Sequence, residues 1–214
     1  MPYFAEVLDN DNYIDSSNTL TNYGTVTGAF QRYDLSGKTT IIDRIIISHD
    51  ISSLIPALIA GSQIISAALA FYASSGVNPA SFQLQWQRVI RDIHTGGETD
   101  NTYAYYDLSA TLAWGTAGCN DTSTDRDTTV ASDQRAFSVS LAFCEWSAKD
   151  IASDAINNRS GIFQAIAIEK AWAAASNNQV TVYTSEGGAP YLRIWYTILS
   201  GGQQMYEQIA MGGA

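Results

Sequence analysis

Polar and apolar residues alternate with a period of two along much of this chain and follow a helical period in one place only. In Phe82-Gln83-Leu84-Gln85-Trp86-Gln87-Arg88-Val89-Ile90, Phe82, Leu84 and Trp86 fall on one side and Gln83, Gln85 and Gln87 on the other. That pattern marks a strand with one buried face. Arg88 ends the apolar side, which places it at the rim of a sandwich or beside a buried partner such as Asp92 or Asp107. Apolar and β-branched runs predict further strands at Thr39–Ser48, Gln63–Tyr72, Phe137–Phe143, Ile162–Ala171, Gln179–Thr184 and Tyr191–Leu199. The helical exception is Ser147–Ile156. Its Ile151, Ala152, Ala155 and Ile156 form a narrow apolar stripe, Ser147 and Asp150 suit a cap, and Asn157-Asn158 follows to end it.

Strands in this number, joined mostly by long polar connections, predict Greek-key crossovers. The expected fold is all-β, a two-sheet antiparallel β-sandwich (jelly roll), with the one short helix lying across an opening. No fixed-period repeat and no Pro-, Ser- or Gly-rich linker divides the chain, so residues 1–200 are expected to form a single domain. Residues 201–214 read as a tail docked on that domain or on a neighbouring subunit, with Met205, Tyr206, Ile209 and Met211 as its assembly contacts.

Composition narrows the partners. With 11 basic residues scattered along a chain of net charge −10, there is no clustered cationic face for nucleic acid, and an anionic lipid surface is disfavoured. No run of apolar residues is long enough for a transmembrane helix. The start, Met1-Pro2-Tyr3-Phe4-Ala5-Glu6, lacks the basic and apolar regions of a signal peptide, so synthesis and folding in a cytoplasm are expected. Without a secretory route, Cys119 and Cys144 read as two buried thiols, a disulfide being the alternative.

Candidate chemistry is sparse. His49 falls in an apolar strand and His94 in a turn, no G-x-S-x-G elbow occurs, and nothing singles out Glu98, Glu145 or Glu169 as a general acid. No enzyme activity and no cofactor are expected. Asp9–Asn12 and Asn120–Asp127 are rich in oxygen, but both lack the turn glycine and distal Glu of a calcium loop. They read as polar turns, with structural calcium as the alternative. Glycan stacking needs exposed aromatic faces beside polar groups. Tyr103 and Tyr105, at strand spacing, and Trp172, beside Ser176-Asn177-Asn178, are the candidates, against the reading that these rings simply pack.

An ordered series of short motifs sharpens the picture. Asp11–Ser17 and Thr21-Asn22-Tyr23-Gly24 are followed by Arg44–Ser52, by Ile55-Pro56 with Gly61–Leu69 and Tyr72, by Arg88-Val89 with Asp92, by Trp114–Gly118 and by Pro190–Thr197. In that order, over about residues 11–198, the chain resembles the DNRLRE-domain family. His49 stands where the family usually has an aromatic residue, and Ile93 replaces a Trp. The resemblance implies a jelly roll related in fold to carbohydrate-binding modules and found on secreted surface proteins and in tailed-phage virions. It implies no catalytic residue. The expectation is a non-enzymatic virion structural protein of a tailed phage, for capsid decoration or as a tail or fibre component. It would be made in the host cytoplasm and assembled with other virion proteins or as a homo-oligomer, a trimer being preferred, and surface-glycan adhesion would be an added role. The alternative is a monomeric carbohydrate-binding module of a cell-surface or secreted protein.

Overall fold

The computed structural model describes residues 3–8, 10–35, 37, 39–54, 63–77, 81–95, 99–137, 142–173, 177–184 and 190–197. Its strands are β1 (Tyr3–Val7), β2 (Asn10–Asp15), β3 (Gly28–Asp34), β4 (Ile41–Asp50), β5 (Gln63–Val77), β6 (Gln83–Val89), β7 (Tyr105–Asp107), β8 (Leu112–Ala113), β9 (Arg126–Ala136), β10 (Ala142–Ser147), β11 (Ile162–Ala171), β12 (Asn177–Tyr183) and β13 (Tyr191–Thr197). The one α-helix among them, α1, spans Lys149–Asn158.

Two strands each serve two neighbours along one edge, and this makes the sandwich. β5 pairs with β10 on one side, while its other edge takes β13 along residues 63–70 and β12 along residues 73–77. β4 pairs with β2 on one side, and its other edge takes β3 at residues 41–43 and β11 at residues 46–50. The first sheet therefore runs β1-β13-β5-β10 and the second β2-β4-β11-β6-β9, and the β3–β12 pair bridges them at a corner. All these pairings are antiparallel. At the opposite corner β9 and β10 lie side by side: Arg135 Nη1 donates to the Glu145 carbonyl (3.1 Å), and the Ser147 N–H donates to Asp133 Oδ1 (2.7 Å). The sheet is nearly closed, and the all-β antiparallel sandwich expected from the alternation is what forms. β5 turns from one neighbour to the other through a stretch rich in Ala, Ser and Gly, where small side chains tolerate the bend.

The core between the sheets is built on aromatic rings. Phe71 of β5 stacks on Trp86 of β6 with centroids 5.1 Å apart, Trp146 of β10 meets Trp86 edge-on at 6.1 Å, and Phe137 meets Trp146 at 5.0 Å. All four rings are fully buried. α1 lays Ile151, Ala152 and Ala155 against this core. Leu84 and Trp86 face inward as the alternation requires, and Ile45 and Ile47 do the same from β4.

Ile46, between them, faces the other way into a second cluster with Ile14, Val89, Ile93, Trp114, Cys119, Ile166 and Ile168. The Ile-Ile-Ile run of β4 is thus buried on both faces, which is why it does not alternate. The excursion over residues 99–125 covers this outer face and is held by buried charge. Asp125, fully buried, accepts the backbone N–H groups of Gly115 (2.7 Å), Thr116 (3.0 Å) and Asp121 (3.2 Å). Arg44 donates to the Gly118 carbonyl and to Asn120 Oδ1, each at 2.7 Å, and forms a buried ion pair with Glu169. Gly118, at φ +79°, lies so close to the Tyr103 ring that any β-carbon would collide with it.

Several expected details change. Ser147 is the last residue of β10 and not a cap: its N–H is taken by Asp133, and α1 starts two residues later behind Ala148 with no side-chain cap. Arg88 pairs with neither Asp92 nor Asp107; its guanidinium bridges Asp127 and Asp154, each at 2.8 Å. Of the expected strand Phe137–Phe143, residues 142–143 lie in β10. Phe137 follows β9, and residues 138–141 lie outside the described residues, as does the tail with Met205, Tyr206, Ile209 and Met211. Cys119 and Cys144 are separate buried thiols.

Asp15 and Asp43 face each other across β2 and β4, and both are buried. Burial pushes Asp43 up to about 7, Arg32 beside it (Nε–Oδ2 2.6 Å) pulls down, and the Asp15 charge adds to the rise. Burial would raise Asp15 too, but hydrogen bonds from Ser17 and Asn18 bring it down to about 2. Folded Asp43 keeps its proton to about pH 7, whereas the unfolded chain releases it near pH 4. Its contribution is full below about pH 4 and is lost as pH rises to about 7. Asp15 acts oppositely, its contribution being lost as pH falls through about 2. Urea denaturation should show stability falling by a few kcal/mol more in the wild type than in Asp43→Asn between about pH 4 and pH 7; parallel profiles would contradict this.

Candidate functional site

The outward face of the first sheet, with the adjoining β12, carries an aromatic patch built from four strands. β10 turns Cys144 and Trp146 into the core, so Phe143 and Glu145 point out. β5 turns Phe71 and Ala73 in, so Tyr72 points out and stands directly opposite Phe143. β12 buries Val180 and Val182 and presents Tyr183; β13 buries Leu192 and Ile194 and presents Tyr191 and Arg193.

The rings form a continuous series. Tyr183 stacks on Tyr72 (5.7 Å, 15° between planes), Tyr72 meets Phe143 edge-on (5.2 Å, 79°), and Phe143 meets Tyr191 at a tilt (5.2 Å, 47°). Phe143 is 47% exposed and Tyr183 37%, large values for apolar rings on a folded surface. A polar triad borders them. The Tyr191 hydroxyl donates to Glu145 Oε1 (2.6 Å), and the Arg193 guanidinium lies 4.2 Å from the Tyr191 ring centroid and 3.6 Å from Glu145. Burial, followed by the Glu145 hydrogen bond and charge, pushes the Tyr191 hydroxyl up to about 12.

The residues expected from the sequence lie elsewhere. Tyr103 is not in a strand; it is half-buried, packs on the second cluster beneath Gly118, and is pushed up by burial, with Arg44 opposing. Tyr105 is half-buried in the small β7–β8 hairpin, its N–H donating to Thr102 Oγ1 (3.1 Å). Trp172 is 40% exposed and leans on Tyr33 (4.4 Å, 41°).

His49 is buried, and His94 lies 3.2 Å (Nδ1) from the hydroxyl of Ser48, which is itself buried. In the Asn120–Asp127 loop, Asp121 Oδ1 accepts Ser123 N–H (2.7 Å) and Oγ–H (2.6 Å) as well as Thr124 N–H (3.2 Å), and Asp125 binds the three amides above. These bonds account for the loop's shape. Among the described residues no three His, Cys, Asp or Glu side chains gather into a metal-holding group.

Sequence reasoning missed Tyr72, Phe143, Tyr183 and Tyr191. The available signal was a large aromatic residue next to a core-facing position in each of four strands. No protein-family profile and no curated protein sequence matches the chain.

Removing the carboxylate in Glu145→Ala should lower the Tyr191 midpoint part of the way from about 12 towards 10, because burial is the larger cause. The ¹³Cζ chemical shift of Tyr191 followed against pH reads this; an unchanged midpoint would remove Glu145 from the triad.

Proposed function

We propose that the protein is a non-enzymatic structural module of a tailed-phage virion, for capsid decoration or as a tail or fibre component. In this reading it assembles with copies of itself through the aromatic face of the first sheet. The observation that carries the reading is the Tyr183–Tyr72–Phe143–Tyr191 series. Its rings meet at 79° and 47°, so the surface is ridged, and a ridged apolar surface suits interdigitation with protein side chains. Charge favours a second copy as the partner. The chain as a whole carries −10, which opposes self-association, whereas the patch holds one Glu145 and one Arg193 and is locally neutral. Two such patches related by a two-fold axis would set Glu145 of each near Arg193 of the other. The Ser48 hydroxyl, 3.2 Å from His94 Nδ1, is buried, which supports a structural role over a catalytic one, since a nucleophile must be reached by substrate. The virion setting rests on the resemblance of the ordered motifs to DNRLRE-domain modules.

A specific observation favours the second reading, a monomeric carbohydrate-binding module. Trp172, 40% exposed, presents an open ring over Tyr33, a stacking surface of the kind that sugars use.

Sedimentation velocity on the full chain, up to millimolar concentration, separates the two. The expected outcome is reversible association that Phe143→Asp with Tyr183→Asp abolishes, while the Tm of the variant stays near that of the wild type. A wild type that stays monomeric throughout, and that binds a glycan array through Trp172, would overturn the assembly reading.

A further inference from the structure

We propose that a polar recess of about 380 Å³ at the C-terminal end of α1 binds a neutral polyhydroxyl ligand of monosaccharide size. The inference is independent of the aromatic face. The recess lies between the last turn of α1, the segment after β6 and the outer side of β11. Its volume falls within the range of small-molecule sites.

The lining chooses the ligand class. Asp92, Asn158, Arg159, Ser160 and Gln164 offer donors and acceptors, and Ile162 supplies an apolar patch for sugar C–H groups. Charge is close to balanced. Arg88 is held by Asp127 and Asp154, and Arg159 lies 3.4 Å from the same Asp154 and donates to the Ile90 carbonyl (3.1 Å). Asp92 adds one more carboxylate, so two guanidiniums face three carboxylates and nothing calls for an anionic ligand. The guanidiniums equally disfavour a cation. Adjacent hydroxyls, each both donor and acceptor, match such an interleaved surface.

The polar groups are also fixed before any ligand arrives. Gln164 is 4% exposed and its Oε1 accepts the Ile93 N–H (3.2 Å), which leaves its NH₂ as the donor it offers. Asn158 Nδ2 donates to Asp154 Oδ1 (2.8 Å), which leaves its carbonyl oxygen as an acceptor.

The turn that closes the recess adds a separate observation. Ser160 has φ +54° and Gly161 φ +90°. Gly161 must be glycine, because a β-carbon there would run into the backbone of Ser52. Ser160, just past the helix C-cap Arg159, occupies a left-handed position that glycine would fill without strain, and a hydroxyl stands there instead. Strain kept at a residue lining a recess points to use of its side chain.

Saturation-transfer NMR and calorimetric titration of the full chain with D-glucose, D-galactose, D-mannose and N-acetyl-D-glucosamine test the proposal, with N-acetylneuraminic acid as the anionic comparison. The expected result is saturable binding of at least one neutral sugar in preference to the anionic one, with amide shifts at residues 90–95 and 158–164. Ser160→Gly is the discriminating variant. Relief of strain should raise its Tm, while loss of the hydroxyl should weaken the sugar roughly three- to tenfold. A variant that is more stable and binds as tightly as the wild type would reduce Ser160 to a turn residue and overturn the proposal. So would the absence of saturable binding by any of the four sugars, or shifts centred on Trp172 and Tyr33.

Discussion

The stack of Phe71 on Trp86 is the contact on which the rest of the architecture depends. It joins the two sheets through the centre of the sandwich, and Trp146 and Phe137 extend it towards the corner where β9 meets β10. Aromatic pairs at these separations add about 0.5–1.5 kcal/mol each beyond the burial of their area. The arrangement has a cost: the indole N–H groups of Trp86 and Trp146 are buried without a hydrogen-bond partner among the described residues. Leaving a buried donor unpaired costs about 1–3 kcal/mol. Packing outweighs that penalty because four large rings fill the span between sheets that smaller residues would leave hollow. With the sheets fixed there, β5 and β4 can each bend from one neighbour to another without opening the core.

A second set of constraints is electrostatic, and it works on the outside of the second sheet. Two buried charged groups, Arg44 and Asp125, fasten long polar segments to the framework. Asp125 gathers three backbone amides into one turn, and Arg44 ties that turn to Glu169 of β11. Removing one partner of such a buried pair leaves the other unpaired, typically a loss of about 3–5 kcal/mol. The residues that look most chemical in the sequence are therefore largely committed to holding loops. Among the rings left facing solvent are Phe143 and Tyr183 of the aromatic patch.

Much of the fold was legible because burial on one face leaves a period of two. The strand Ile162–Ala171 was bounded to the residue, and the inward set Leu84 and Trp86 followed directly from alternation. β9 was not legible: Arg126–Ala136 is mostly polar, as suits a strand at the edge of its sheet, so no apolar side announces it. The helix was misplaced by two residues because Ser147 reads locally as a cap, whereas a distant carboxylate, Asp133, claims its N–H. The partners of Arg88 were likewise settled by tertiary contact with α1 and β9 and not by proximity in sequence. Aromatic residues were the hardest to sort. Tyr103 and Phe143 have similar polar and apolar neighbours, yet one closes a buried turn and the other stands on the surface. Tertiary context decides it: Phe143 stands on β10, whereas Tyr103 lies outside any strand and packs under Gly118.

Four surface rings gathered on one locally neutral patch are the basis of the assembly reading. Hydroxyl-radical footprinting of the full chain at low and high protein concentration tests this most directly, since oxidation rates report which rings water reaches. The account predicts that Phe143 and Tyr183 become protected as concentration rises while Trp172, at the opposite end of the β3–β12 pair from Tyr183, keeps its rate. Unchanged rates at Phe143 and Tyr183 over the whole range would contradict it.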